Sequence, residues 1–373
     1  MASDLSKISA NAKAKPIGRR QIVKGIGMTA AAAFAAAALP DATGFARQWA
    51  GRGPAFAGLE AAEAVMSSGF KAVAYNHIDY RVPDYTKVRD FFVSLYSMKC
   101  VWDDGKQCSV EFGDPPNALY IRTLNPGDKQ KILGPSGPWA SQMGQGMVNH
   151  MAISVENFQL DSVKAELDRR GLNPQPDGPF AWTIHDPNGN VVQICATKGV
   201  FPGQANPAAK ESDGLKNLSA VLKPDGTGFK AYAVNHLVMM VPDVEKTRDF
   251  YIDLLGMKLV YYKPGDYPSV ESTEGPVCFL RFGENYLYLR RSQHPEHKSY
   301  YAHFAPTVEN FDQAKVKEDL QRRGFQPTPD SKFGWSIKDP AGMRIEVAGK
   351  GLPEHVGGDC DGGNARCPGG PDK

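Results

Sequence analysis

Long apolar runs are missing from this 373-residue chain. The Ala-rich stretch Gly25 to Leu39 is too short and too weakly hydrophobic to span a bilayer comfortably. An excess of one charge is missing too: 43 Lys and Arg stand against 41 Asp and Glu. That balance offers no field for nucleic acid or an anionic membrane surface, so neither is expected as a partner. Cysteine is sparse, six in all, too few and too scattered for a disulfide scaffold. Cys100, Cys195 and Cys278 sit in apolar, strand-like runs and read as core thiols. Cys360 and Cys367 share the Gly-rich tail GGDCDGGNARCPGG and are free to pair in an oxidising compartment. Histidine is scarce as well, with eight in the chain, so where they fall carries information.

What is abundant is glycine and proline, 38 and 28 residues, which favours a turn-rich, strand-rich protein over a helical one. The N-terminus differs from the rest. In GRRQIVKGIGMTAAAAFAAAALPDATGFA, Arg19 and Arg20 precede the Ala-rich run. This segment resembles a twin-arginine secretory signal. Gly18 and Ile22 depart from the usual Ser/Thr and Phe. The resemblance implies export of a folded, often metal-carrying protein to the periplasm, with residues 1–46 removed, or cleavage after Ala57 instead.

The chain repeats itself. VPDYTKVRDFFVSLYSMK from Val82 returns as VPDVEKTRDFYIDLLGMK from Val241. VENFQLDSVKAELDRRGLNPQPD from Val155 returns as VENFDQAKVKEDLQRRGFQPTPD from Val308. FAWTIHDPNGNVVQICATKG from Phe180 returns as FGWSIKDPAGMRIEVAGKG from Phe333. Residues 70–199 and 229–351 are therefore two copies of one domain, joined by a Pro/Gly/Ala-rich linker (200–228) and followed by a tail (352–373). Each copy divides again into two similar halves of the order strand, helix, strands. Apolar spacing over Val88, Phe91, Phe92 and Leu95, and over Phe250, Tyr251 and Leu254, predicts the first helix of each copy. The second helices are expected over 160–170 and 313–323, with Gly171 and Gly324 as C-caps.

Four of the eight histidines fall at one repeated position, in the opening strand of each half: His77, His150, His236 and His303. A single histidine on an apolar strand is usually a satisfied core residue, but four at equivalent positions ask for another explanation. In the closing strand of the second copy, Ile345 and Val347 alternate with Arg344 and Glu346, which sends Glu346 to the face opposite the core. A buried carboxylate without a cation is costly. His236, His303 and Glu346 together offer two imidazoles and a carboxylate, a set suited to one divalent metal with open positions. The first copy offers His77, His150 and Gln193, a neutral and weaker set.

On its NH-bearing opening strands, RDFYIDLLGMK, DPAGMRIEV and DPNGNVVQI, the chain resembles the vicinal oxygen chelate superfamily of glyoxalases, bleomycin-resistance proteins and type I extradiol dioxygenases. The resemblance spans about Phe70 to Gly351. It implies an α+β fold of four βαβββ modules paired into two cup-shaped half-barrel domains. It also implies ligands on first and last strands, here His236, His303 and Glu346, and a divalent metal: Fe2+ by the ligand set, with Zn2+, Mn2+ and Ni2+ as alternatives. The implied function is an exported metal-dependent enzyme acting on a small substrate with adjacent oxygens, a dioxygenase or a lyase or isomerase, with Glu346 as ligand or base. A metal-free small-molecule binder is the other reading. The extradiol pattern has a Tyr where this chain has Ser336 (Thr183 in the first copy). Tyr288 and Arg290 share a strand face; Arg290 either clamps an anionic substrate or is a solvated strand-end charge. Arg344 faces the cup by alternation with Glu346, as a substrate contact or paired to a carboxylate at the rim.

Overall fold

The computed structural model describes residues 69–125, 144–197, 222–264, 276–292 and 299–350. The leader, the cleavage points, most of the linker, and the tail with Cys360 and Cys367 lie outside these residues. The four expected modules are present. The first copy runs β1 (Ala72–Val82), α1 (Tyr85–Tyr96), β2 (Lys99–Asp103), β3 (Gln107–Phe112), β4 (Asn117–Thr123), then β5 (Met147–Val155), α2 (Leu160–Arg169), β6 (Gln175–Pro176), β7 (Ala181–His185) and β8 (Val191–Cys195). The second runs β9 (Ala231–Val241), α3 (Val244–Leu255), β10 (Lys258–Lys263), β11 (Val277–Phe282), β12 (Asn285–Arg291), then β13 (Tyr300–Val308), α4 (Gln313–Arg322), β14 (Thr328–Ser331), β15 (Gly334–Lys338) and β16 (Arg344–Ala348).

Local chemistry sets these boundaries. Asp84 caps α1 by accepting from the Thr86 and Lys87 amides, at 3.1 and 3.2 Å. Asp243 caps α3 through the Lys246 amide at 2.8 Å, satisfying N–H groups that a helix start leaves over. Gly256 ends α3 at φ 60°, where the first copy makes Ser97 adopt φ 52°. α2 and α4 each stop one residue before the expected end, and Gly171 and Gly324 follow at φ 70° and 87°. In the turn between β15 and β16, Asp339 Oδ1 accepts from the amides of Ala341 and Met343, both at 2.9 Å, and Gly342 takes φ 79°. That turn fixes the register in which Ser336 faces Glu346.

Each copy forms one eight-stranded sheet, ordered β2-β3-β4-β1-β5-β8-β7-β6 and β10-β11-β12-β9-β13-β16-β15-β14. Within a module the first and last strands are parallel neighbours, as β5 and β8 are. The two first strands, β9 with β13, meet antiparallel at the centre. Three adjacent strands, β9, β13 and β16, therefore carry His236, His303 and Glu346 from segments far apart in the chain.

The outer faces of both sheets, with the helices, share a continuous apolar core. Phe304 of β13 stacks on Phe92 of α1 at 5.7 Å and meets Tyr80 of β1 edge-on at 5.8 Å. Tyrosine hydroxyls cross between copies: Tyr80 donates to Asp339 at 2.5 Å, Tyr251 to Asp186 at 3.0 Å, and Tyr96 to the Glu346 carbonyl at 3.2 Å.

Candidate metal centre

Ile345 and Val347 enter the core and leave Glu346, fully buried, on the other face beside His236 and His303, each 3% exposed. The two histidine Nε2 atoms are 3.2 Å apart. Glu346 Oε1 is 3.3 Å from His303 Nε2, and Oε2 is 3.6 Å from His236 Nε2. The ligand atoms of the three residues all lie within 4.8 Å of one another. Among the described residues no other group of three His, Cys, Asp or Glu side chains meets this condition.

The tautomer of His236 follows from its neighbour. Asn235 Nδ2 donates to the Gly349 carbonyl at 2.9 Å, so Asn235 Oδ1, 3.0 Å from His236 Nδ1, accepts from it. The lone pair of His236 is therefore on Nε2, aimed at the centre. Glu346 Oε1 receives Arg344 Nη2 at 2.6 Å and Ser336 Oγ at 3.5 Å. Oε2 is buried without a hydrogen-bond partner among the described residues. An orphaned carboxylate oxygen next to an imidazole lone pair is the arrangement a divalent cation satisfies, so the residues present fit such a group.

Protonation agrees. Burial drives His236 down to about 3, outweighing the upward pull of the Glu346 charge. Burial lowers His303 in the same sense. For Glu346 burial pushes upward, but His236, His303 and Arg344 outweigh it and hold the carboxyl well below the usual range. At neutral pH the set is two neutral imidazoles and one carboxylate, the form a metal needs.

A stability prediction follows from these shifts. An unfolded histidine titrates near 6.5, so between that value and about 3 the unfolded state holds a proton that folded His236 does not. His77, His150 and His303 are shifted in the same direction. Stability contributed by neutral histidine is thus full above about 6.5 and drains away as pH falls toward the folded values. Asp330 and Asp339, both raised to about 6 chiefly by burial, act oppositely, binding protons in the folded state below that pH. Four groups against two leave a net loss on acidification. Urea midpoints of chelator-treated protein should fall steadily from pH 7 to pH 4.5; a flat or rising profile contradicts the neutral assignment.

The other expected residues lie around the triad. The Tyr288 ring meets His236 edge-on at 6.0 Å and stacks on Phe279 at 4.0 Å. Arg290 Nη1 donates to the Tyr288 hydroxyl at 3.0 Å. With Val238, Met240, Val277 and Ala302 they form an apolar, aromatic wall on the inner face. Arg344 is on the same face, and its guanidinium is engaged by Glu346, Ser336 Oγ (3.0 Å) and Asp330. In the first copy, His77 and His150 come together with Nε2 atoms 3.1 Å apart, while the Gln193 amide donates to Asp177. Sequence reasoning missed Asp330, Asn235 and Asp79. The Asn-His dipeptide at 76–77, 149–150 and 235–236 was a visible signal for the second of these.

The two sheets of paired βαβββ modules, with the triad on first and last strands, have the two-domain vicinal oxygen chelate fold. Residues 233–347, nearly the whole second copy, match the family described as the Glyoxalase/Bleomycin resistance protein/Dioxygenase superfamily. No curated protein matches the chain. Among solved structures it is similar to the Mn(II)-bound glyoxalase from Novosphingobium aromaticivorans, with TM-score 0.50 and 14% identity over 75% of this chain and 83% of that one. It is equally similar to the 2,3-dioxygenase LapB from Pseudomonas sp. KL28, with TM-score 0.50 and 14% identity over 76% and 93%. At this identity the likeness is one of fold.

Proposed function

We propose that the protein is a divalent-metal-dependent enzyme acting on a small substrate with two adjacent oxygen atoms, with its centre at His236, His303 and Glu346. The observation that carries this is the fully buried Glu346, whose Oε1 lies beside His303 and whose Oε2, beside His236, has no hydrogen bond among the described residues. When bound, the cation supplies Lewis acidity, stabilising the negative charge that develops on the substrate oxygens. Two histidines and a carboxylate favour Fe2+, with Mn2+, Zn2+ and Ni2+ as alternatives.

The chain's own residues do the rest. His236, His303 and Arg344, the last of which holds Oε1, keep the Glu346 carboxylate ionised, which suits a ligand and makes Glu346 a weak base. Tyr288 and Phe279 offer a flat apolar wall beside His236, and Arg290 places a guanidinium on that wall for an anionic substituent. Ser336, where extradiol enzymes carry a Tyr, hydrogen-bonds Arg344, so a proton donor for ring cleavage has to come from elsewhere. Export through the twin-arginine route belongs to the same reading and rests on Arg19, Arg20 and the Ala-rich run.

The test is anaerobic purification, elemental analysis, reconstitution with Fe2+, Mn2+, Zn2+ or Ni2+, and a screen of oxygen uptake and product formation on catechols and other vicinal-oxygen compounds. Tight metal binding together with turnover supports the proposal. Protein that takes up no metal from any of the four, yet binds one of the compounds, identifies a sequestering protein instead.

A further inference from the structure

The first copy has lost the carboxylate on its last strand but has gained another. We propose that His77, His150 and Gln193 form a second, weaker divalent-cation site, with Asp79 supplying from behind His150 the charge that Glu346 supplies directly in the second copy.

The imidazole pair survives with its geometry intact. Ring centroids are 5.2 Å apart at 78° in the first copy, against 5.3 Å and 81° in the second. Asn76 repeats the work of Asn235. Its Nδ2 donates to the Ala196 carbonyl at 2.9 Å, which turns Oδ1 toward His77 Nδ1 at 3.0 Å and puts the His77 lone pair on Nε2. The Gln193 amide is oriented as firmly. Its Nε2 donates to Asp177, a carboxylate that only accepts and that also receives Thr183 Oγ1 at 3.2 Å. Gln193 Oε1 is thereby left for a different partner, at the position equivalent to Glu346.

Asp79 is the departure. It lies between Tyr120 and His150 in the sheet, where the second copy has Val238 between Tyr288 and His303. A carboxylate in an otherwise apolar position is costly unless used. Asp79 is fully buried; its Oδ2 is 3.3 Å from His150 Nδ1, and its Oδ1 has no hydrogen bond among the described residues. A carboxylate behind a ligating histidine fixes the ring and strengthens its basicity toward a metal. Arg122 and Arg81 also approach Asp79 Oδ2, at 3.3 and 3.6 Å. Asn149 Nδ2 is 2.9 Å from the same His150 Nδ1 and 3.5 Å from Asp79 Oδ2, so the rival account is that the Asn149 amide holds His150 and Asp79 serves only to neutralise those guanidiniums.

Titrating the metal-free full chain with Co2+, followed by absorption and calorimetry, separates these accounts without reference to turnover. Two binding steps are expected. His303→Ala abolishes the tighter step and leaves the weaker one; His77→Ala with His150→Ala does the reverse. Asp79→Asn weakens the weaker step alone, by about 10- to 100-fold. As a check independent of lost folding, Val191→Arg with Gln193→Glu rebuilds the Arg344–Glu346 arrangement against Asp177 and should tighten that step at least tenfold. A single step in the wild type, or no gain in the rebuilt variant, overturns the second site, and an unchanged weak step in Asp79→Asn overturns the role given to Asp79. None of these outcomes bears on the centre in the second copy, whose step His303→Ala reports separately.

Discussion

Under the proposed function, Glu346→Gln should abolish tight metal binding at the second copy's triad and reduce turnover to background. Glutamine keeps the side-chain volume, so the change isolates charge. The carboxylate sits in a fully buried position against two imidazoles and a guanidinium. Breaking a buried charge interaction costs ~3–5 kcal/mol, and ~1.4 kcal/mol is tenfold in an equilibrium constant, so metal affinity should fall by roughly two to three and a half orders of magnitude. The fold should survive, because Arg344 retains Asp330 as a partner. The variant also gives the second copy the donor set of the first, His-His-Gln, but with Val238 where the first copy has Asp79. Its residual affinity is therefore expected to lie below that of the first copy's own site. Equilibrium dialysis with Mn2+ at fixed pH reads both numbers; a variant that still binds as tightly as wild type removes Glu346 from the ligand set.

Much of this centre was legible in the sequence because it rests on repetition and alternation. Four histidines at one recurring position marked the opening strands. The alternation of Ile345 and Val347 with Glu346 placed a carboxylate on the face opposite the core, and the structure puts it there. What the sequence withheld depends on distance along the chain. Asn235 fixes the His236 tautomer only because Gly349 returns to accept its amide. Arg344 is held between Glu346 and Asp330, and the second of these lies across a hairpin whose pairing the local pattern does not reveal. Asp79 carries no repeated or periodic signal, and only the strand register sets it opposite His150. Periodicity says which face of a strand is apolar. It does not say that the apolar faces of the two copies cover each other.

That shared core leads to the second large effect. Phe304→Ala should destabilise the protein by ~3–5 kcal/mol, the usual cost of truncating a buried aromatic, and should do so for both copies at once. Phe304 is 1% exposed, follows His303 directly, and contacts Phe92 and Tyr80 of the first copy on the face opposite the His236–His303–Glu346 triad. The apolar cluster around it draws on both sheets, so neither copy keeps its core if the other unfolds. Two buried tryptophans at matched positions, Trp182 and Trp335, report on the copies separately. Variants in which Trp182 or Trp335 is the sole tryptophan left of the chain's five should give the same urea midpoint, and Phe304→Ala should move both midpoints together. Metal binding extends the same logic: a ligand that binds only the folded state stabilises whatever unfolds with its site, by ~4 kcal/mol at a thousand times its Kd. Metal held by His236, His303 and Glu346 should therefore raise the midpoint seen by Trp182, in the copy that does not carry that triad. Two separate transitions, with only the Trp335 signal responding to metal or to Phe304→Ala, would show that the copies fold independently and that their contact is incidental.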